Sequence, residues 1–222
     1  MTGKHVLITA GPTQETIDPV RYISNASTGK MGYALVRACL KRGASVTLVT
    51  GPTHQSLKAW EQFCSLDIVP VQSAAEMCEA AVNAFPHADM AILCAAVADF
   101  TPCHTADKKI KKQPGQTEMT IELTTTTDIA ATLGKVKGES GKVKGEKIVV
   151  GFALETHDEQ ANALRKLQSK NLDMIVLNSL QDQGAGFGVD TNKVTLLYAD
   201  GTKKDLPLLL KQEVADAIID SM

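Results

Sequence analysis

The run Asp89 to Ala96 (DMAILCAA) is apolar throughout after its first residue. A strand with one wet face would alternate, so an unbroken run of this kind belongs in the middle of a sheet covered by helices on both sides. The rest of the chain supplies its neighbours. Val6 to Ile8, Ser45 to Val49, Asp67 to Val71, Ile148 to Ala153 and Asp173 to Asn178 are further runs of strand length. Between them lie segments with helical signals: Thr28 to Arg42, Ser73 to Ala84 with a Ser73/Glu76 capping-box pair, Asp128 to about Leu133, and Glu159 to Ser169. Strands alternating with helices predict an α/β fold, a doubly wound and mostly parallel sheet. After Gly184, Gly186 and Gly188 the pattern changes, and about 190–206 predicts a hairpin turning at Asp200-Gly201, a small antiparallel appendage, followed by a closing helix from Leu208 to Ile219.

The stretch Val6 to Gly32 (VLITAGPTQETIDPVRYISNASTGKMG) places the chemistry. A strand leads through a long polar loop to a glycine-rich helix start at Ser27-Thr28-Gly29, where free N–H groups and the helix dipole favour a phosphate. It is not a P-loop, because Ser24 and Met31 occupy the first glycine and the Ser/Thr positions. Nor is it the tight dinucleotide turn, since the loop separates Gly11 from Gly29. Asp18-Pro19, Tyr22 and Ile23 suggest a loop ordered by packing. VLITAGPT (6–13) and VTLVTGPT (46–53) resemble each other, which predicts two parallel strands ending in Gly-Pro turns on the ligand-binding edge of the sheet.

With 222 residues and 44% hydrophobic content the chain can bury its own core, and a single domain over 1–222 is expected. A net charge of −2 argues against general nucleic-acid binding. No apolar run is long enough to span a bilayer and no signal-peptide pattern opens the chain, so a cytoplasmic protein without membrane contact is expected. Cys39, Cys64, Cys78, Cys94 and Cys103 are odd in number and scattered, which suits reduced packing residues.

The central run ends in Ala95-Ala96-Val97-Ala98-Asp99, small residues that let a ligand approach the backbone, then a carboxylate able to meet hydroxyls, phosphates or a metal. A turn or cap aspartate is the alternative. The loop of about 100–115 holds Lys108, Lys109, Lys111 and Lys112; it is either a solvated charged loop or a lid delivering cations to a polyphosphate. Glu118 to Thr124 alternates and predicts a strand with one wet face. The duplicated GKVKGE (134–139 and 141–146) predicts a flexible surface insertion over about 134–146. Lys166 and Lys170 share a helix face and on spacing alone are solvated lysines.

DPVRYISNASTGKMG, CAAVADF, KKIKKQ, VGFALET and KLQSKNLD, in this order, resemble phosphopantothenoylcysteine synthetase, the phosphopantothenate–cysteine ligase of coenzyme A biosynthesis. The resemblance covers essentially the whole chain and implies a Rossmann-like sheet. In many bacteria this ligase is the carboxyl-terminal half of a bifunctional protein whose other half is a flavin-dependent decarboxylase; that half is not in this sequence, so no flavin is expected. The family joins 4′-phosphopantothenate to L-cysteine through an acyl nucleotide made from CTP in bacteria or ATP in eukaryotes, with Mg²⁺ and loss of pyrophosphate. The resemblance implies that Lys109 reaches the α-phosphate and that Asn25 holds the acyl carbonyl during amine attack. It makes Gly11, Ser27, Gly29 and Gly32 the triphosphate cradle. Asp99, Phe152, Lys166, Lys170 and Asn178 become nucleotide contacts, with Asp128 and Ile129 retained from the family's motif. Ala95, Ala96 and Asp99 would meet phosphopantothenate, joined by Arg21 from a second subunit, which implies a homodimer with shared active sites paired through the hairpin or the 118–124 strand.

Thr126-Thr127 replaces the family's usual Asn-Pro before Asp128, and Leu154 replaces a common alanine. The motif leaves the metal ligands and the choice between CTP and ATP open. An NAD(P)-dependent oxidoreductase is the rival enzyme, but it calls for an acidic residue closing the second strand, where Thr50-Gly51 stands. A non-catalytic nucleotide-binding module is the other alternative, and it would leave Asn25 and Lys109 replaceable.

Overall fold

The structure, a computed structural model, describes residues 1–56, 58, 65–139, 147–179, 184–186 and 188–222. The chain opens with β1 (His5–Ala10), a hairpin of β2 (Gln14–Thr16) and β3 (Tyr22–Ser24), α1 (Lys30–Lys41), β4 (Ser45–Thr50) and β5 (Leu66–Pro70). Next come α2 (Ala74–Ala84), β6 (Met90–Leu93), a second hairpin of β7 (Phe100–Pro102) and β8 (Leu123–Thr125), α3 (Ile129–Gly138) and β9 (Ile148–Glu155). The last part holds α4 (Glu159–Ser169), β10 (Met174–Ser179), β11 (Thr191–Asn192), β12 (Val194–Tyr198), β13 (Lys203–Asp205), β14 (Leu209–Leu210) and α5 (Lys211–Ile219).

Among the described residues the main sheet runs β13-β12-β10-β9-β6-β1-β4-β5. Its parallel strands, numbered by chain order, read 3-2-1-4-5-6 from β5 to β10. That order reverses between β1 and β6, and doubly wound sheets open a ligand crevice at the carboxyl ends of the strands flanking such a reversal. Side chains of β6 alternate between the layers: Met90 and Ile92 join the core under α1 and α5, while Ala91 and Leu93 join the core under α2, α3 and α4. The unbroken apolar run is therefore explained by burial on both faces, and each large side chain so buried contributes on the order of 1.5–3 kcal/mol.

The Ser73/Glu76 capping box starts α2, and Asp128 caps α3 by accepting from Ala131 N at 3.0 Å. Several sequence expectations change. The hairpin of 190–206 is continuous with the main sheet, because Val194, Leu196 and Leu197 are buried and β12 pairs antiparallel with β10. The strand expected over 118–124 reduces to Leu123–Thr125, exposed throughout, since no layer formed by the described residues covers Met119 or Leu123. The first GKVKGE copy is not a flexible connection: α3 continues to Gly138. Gly134 lets α3 lie against the end of α4, where a Cβ would come within 1.8 Å of the Lys170 carbonyl oxygen, and Asn171 Nδ2 donates to Gly134 O at 2.9 Å. The second copy, together with Cys64 and most of the ambiguous stretch after His54, lies outside the described residues. The closing helix starts at Lys211, because Leu209–Leu210 pair with β11. No helix among the described residues is long and apolar enough to cross a membrane.

Candidate active site

A cavity of about 620 Å³ opens at the carboxyl ends of β1, β6, β9 and β10, where the strand order reverses. Its centre is the segment after β6, tied to the turn after β1 by Ala96 N to Gly11 O (2.9 Å), Thr13 N to Ala96 O (3.4 Å) and Ala98 N to Thr13 Oγ1 (2.9 Å). Ala95, Ala96 and Asp99 consequently face the cavity. The Asp99 carboxylate forms no ion pair among the described residues, while its main-chain oxygen accepts from Thr126 N at 2.9 Å. Asn25 also lines the cavity, and its Nδ2 donates to Ala96 O (3.2 Å) and Val97 O (2.9 Å). Both amide hydrogens are thereby engaged, so an acyl carbonyl could be held by them only after these bonds rearrange.

One end of the cavity is the start of α1, lined by Ser27 and Gly29. Ser27 Oγ accepts from Gly29 N at 3.3 Å, and no side chain caps the helix, so its first-turn N–H groups are available to an anion. Gly29 has φ +75°, a conformation suited to glycine. Gly11 and Gly32, expected in the cradle, stand behind it. A Cβ on Gly32 would lie 2.4 Å from Ala10 Cβ, so this glycine is what allows α1 to seat against β1. A Cβ on Gly11 would lie 3.0 Å from Gly51 O, and one on Gly51 only 1.7 Å from Pro12 O. The two Gly-Pro turns therefore brace one another rather than lining the site.

Lys166, Lys170, Asp128 and Ile129 line the cavity from α4 and the start of α3, while Phe152 and Asn178 line it from the ends of β9 and β10. Lys166 pairs with Glu155 at 2.6 Å and Lys170 with Asp128 at 2.7 Å, so both lysines are held rather than solvated. Burial pushes the Asp128 carboxyl up, but Lys170 and the N–H groups at the start of α3 outweigh it and hold it below the usual carboxylate range. Asn178 Oδ1 is buried with no hydrogen-bond partner among the described residues, an acceptor open to a ligand. Burial pushes the Cys94 thiol up to about 12, which excludes it as a nucleophile at neutral pH.

Arg21 and Lys109 do not reach the cavity. Arg21 pairs with Asp18 and donates to Ile110 O at 2.8 Å, and Lys109 is exposed in the neighbouring loop. That loop is docked on the first hairpin by Ala106 N to Ile17 O and Thr105 Oγ1 to Thr16 O, both 3.0 Å. Two further cations line the cavity without having been singled out in the sequence, Lys30 and Lys211. Lys30 could have been suspected from its place beside Gly29. A lysine opening the last helix carries no such signal.

A family profile described as the DNA/pantothenate metabolism flavoprotein C-terminal domain matches residues 1–222. The chain is 48% identical over 223 residues to the coenzyme A biosynthesis bifunctional protein CoaBC of Bacillus subtilis (strain 168), covering 100% of this chain and 52% of that protein. It is 53% identical over 219 residues to a protein of an unknown prokaryotic organism named cysteine/cysteine sulfinic acid decarboxylase, covering 99% of this chain and 58% of that protein. The chain thus spans about half the length of these curated relatives. Among solved structures, that of the C-terminal domain of CoaBC superposes with a TM-score of 0.79 at 40% identity, covering 100% of this chain and 96% of that one.

Proposed function

The chain belongs to the family of DNA/pantothenate metabolism flavoprotein C-terminal domains, and from that premise we propose that it is a phosphopantothenate–cysteine ligase using CTP. The observation that carries this reading is a single cavity lined by Lys166 and Lys170 and by the uncapped start of α1, together with amide-rich backbone. In such a ligase the 4′-phosphopantothenate carboxylate attacks the α-phosphate of the nucleotide, two anions that repel, and fixed cations and N–H donors offset that repulsion in the transition state. Pyrophosphate leaves, and the amine of L-cysteine then displaces CMP to form the amide. Ala95, Ala96 and Asp99, which line the cavity, meet the pantothenoyl arm in this reading. Asn25 holds the acyl group, exchanging its carbonyl partners for the substrate.

Magnesium is commonly held by one or two carboxylates and substrate phosphates, and it supplies charge neutralisation. Asp99, which lines the cavity and forms no ion pair among the described residues, suits that role, whereas both Asp128 oxygens are taken, one by Ala131 N and the other by Lys170. Lys109 acts after the loop leaves its docked position and closes on the nucleotide. Arg21 completes the site of a second subunit. In support of such a homodimer, Val20, Tyr22, Phe100, Met119 and Leu123 are between 43% and 57% exposed on the two small hairpins. The charged edge of β13 is the less suitable pairing surface.

An oxidoreductase is disfavoured because Thr50 and Gly51 end β4: the Thr50 hydroxyl is spent on Gly51 O at 3.1 Å, and no carboxylate stands there for a ribose. The deciding experiment follows pyrophosphate release from CTP in the presence of 4′-phosphopantothenate, L-cysteine and Mg²⁺. Asn25→Ala and Lys109→Ala should each slow it by about 10²–10³-fold, and wild-type turnover in both variants would favour a binding module. Stabilisation of the melting transition by CTP beyond that by ATP tests the base preference.

A further inference from the structure

Lys211 is 8% exposed and faces the cavity, yet among the described residues its ammonium meets only main-chain carbonyls, Gly186 O at 3.0 Å and Val189 O at 2.5 Å. A buried cation is ordinarily matched by a carboxylate, because neutral dipoles alone leave much of its lost hydration uncompensated. Burial and the charge of Lys30 both depress the Lys211 pKa, against weaker opposing effects from Asp190 and Cys94. Lys30, in the first turn of α1, is bound to Gly188 O at 3.0 Å and to the largely exposed Asp190 at 2.7 Å. Lys211 therefore holds Gly186 and Val189, and Lys30 holds Gly188 and Asp190, while both lysines border the cavity with Ser27 and Gly29. Among the described residues neither cation has a buried carboxylate partner, and together with the first-turn N–H groups they form an incomplete anion site.

We propose that Lys30 and Lys211 are phosphate-binding residues that grip the β- and γ-phosphates of the nucleotide and hold the pyrophosphate as it departs. The α1 end of the cavity is suited to a doubly charged tail, because uncapped first-turn N–H groups stand there beside Lys30 and Lys211, and Lys30 has only the largely exposed Asp190 carboxylate to exchange for it. A phosphate monoester would satisfy the same chemistry, so 4′-phosphopantothenate is the competing occupant. The identity of the anion rests on the ligase reading; the existence of the site does not.

The test is calorimetric titration of the full chain with CTP, CMP, inorganic pyrophosphate and 4′-phosphopantothenate, using wild type, Lys30→Gln and Lys211→Met. Wild type should bind pyrophosphate alone and prefer CTP over CMP. Each variant should lose about tenfold or more in affinity for CTP and pyrophosphate, as expected for a charge-assisted contact, with CMP and 4′-phosphopantothenate unchanged. Retention of the CTP-over-CMP preference in both variants overturns the proposal, as does a loss confined to 4′-phosphopantothenate. Should Lys211→Met fail to fold, Lys30→Gln, which removes contacts of a partly exposed side chain to Gly188 O and Asp190, decides alone. A wild type with this binding pattern but no amide product would sink the ligase reading and leave the site standing; an active ligase with indifferent variants would do the reverse.

Discussion

Asp18, the first residue of the 18–32 motif, ties the hairpin beside the site to the loop that follows the central strand. Its carboxylate accepts from Val20 N and Arg21 N at 2.9 Å and from Ile110 N at 3.0 Å, and it pairs with the Arg21 guanidinium. Arg21 first, and then the Ile110, Val20 and Arg21 amides, hold its pKa well below the usual carboxylate range against the opposing effect of burial. A depressed carboxylate contributes stability above its unfolded pKa, so this contribution shrinks below about pH 3.9 and is gone once the pH falls through the lower folded value. Asp18→Asn at neutral pH should speed hydrogen exchange at the Ile110 amide, loosen the 105–112 loop and lower global stability; unaltered exchange there would refute the docking role. Asp18-Pro19 was legible in the sequence as an ordered loop, but the cause was not. Tyr22 is 52% exposed, so the loop is fixed by hydrogen bonds to a distant segment rather than by its own aromatic packing.

At the scale of elements, glycine means different things at neighbouring positions of one helix. Gly134 faces the Lys170 carbonyl, whereas the nearest atom to a Cβ on Gly138 is Asn171 Nδ2 at 3.4 Å. Gly134→Ala should destabilise the protein by roughly 1–3 kcal/mol, or more where the backbone cannot shift, and Gly138→Ala should be nearly neutral, both measured by denaturant unfolding. This is also why α3 was misjudged from sequence: two glycines and two lysines over 134–138 suggest a loop only when the surface they pack against is unseen. Elements with strong internal signals were legible, among them α4 at Glu159–Ser169 and the boxed start of α2. The three-residue strands of the two hairpins were not, because strands that short carry no periodicity.

For the whole molecule, the central strand and the α/β class followed from apolar runs, but the order across the sheet did not, since runs of equal hydrophobicity do not say which lies beside which. Lys30 and Lys211 meet for the same reason: residues 181 positions apart converge only through topology. The proposed homodimer is tested at this scale too. Leu123→Glu, on the exposed hairpin and outside the cavity lining, should sediment as a monomer with an unchanged circular dichroism spectrum and little ligase activity; a stable dimer would locate the interface elsewhere. The carbon missing at Gly32 has a consequence for such rearrangements. With α1 resting directly on Ala10, the amides that would receive a phosphate are gauged from the floor of the sheet and not from the rim. Loops can swing and subunits can part without altering that spacing, so each catalytic cycle begins from a seat that never has to be rebuilt.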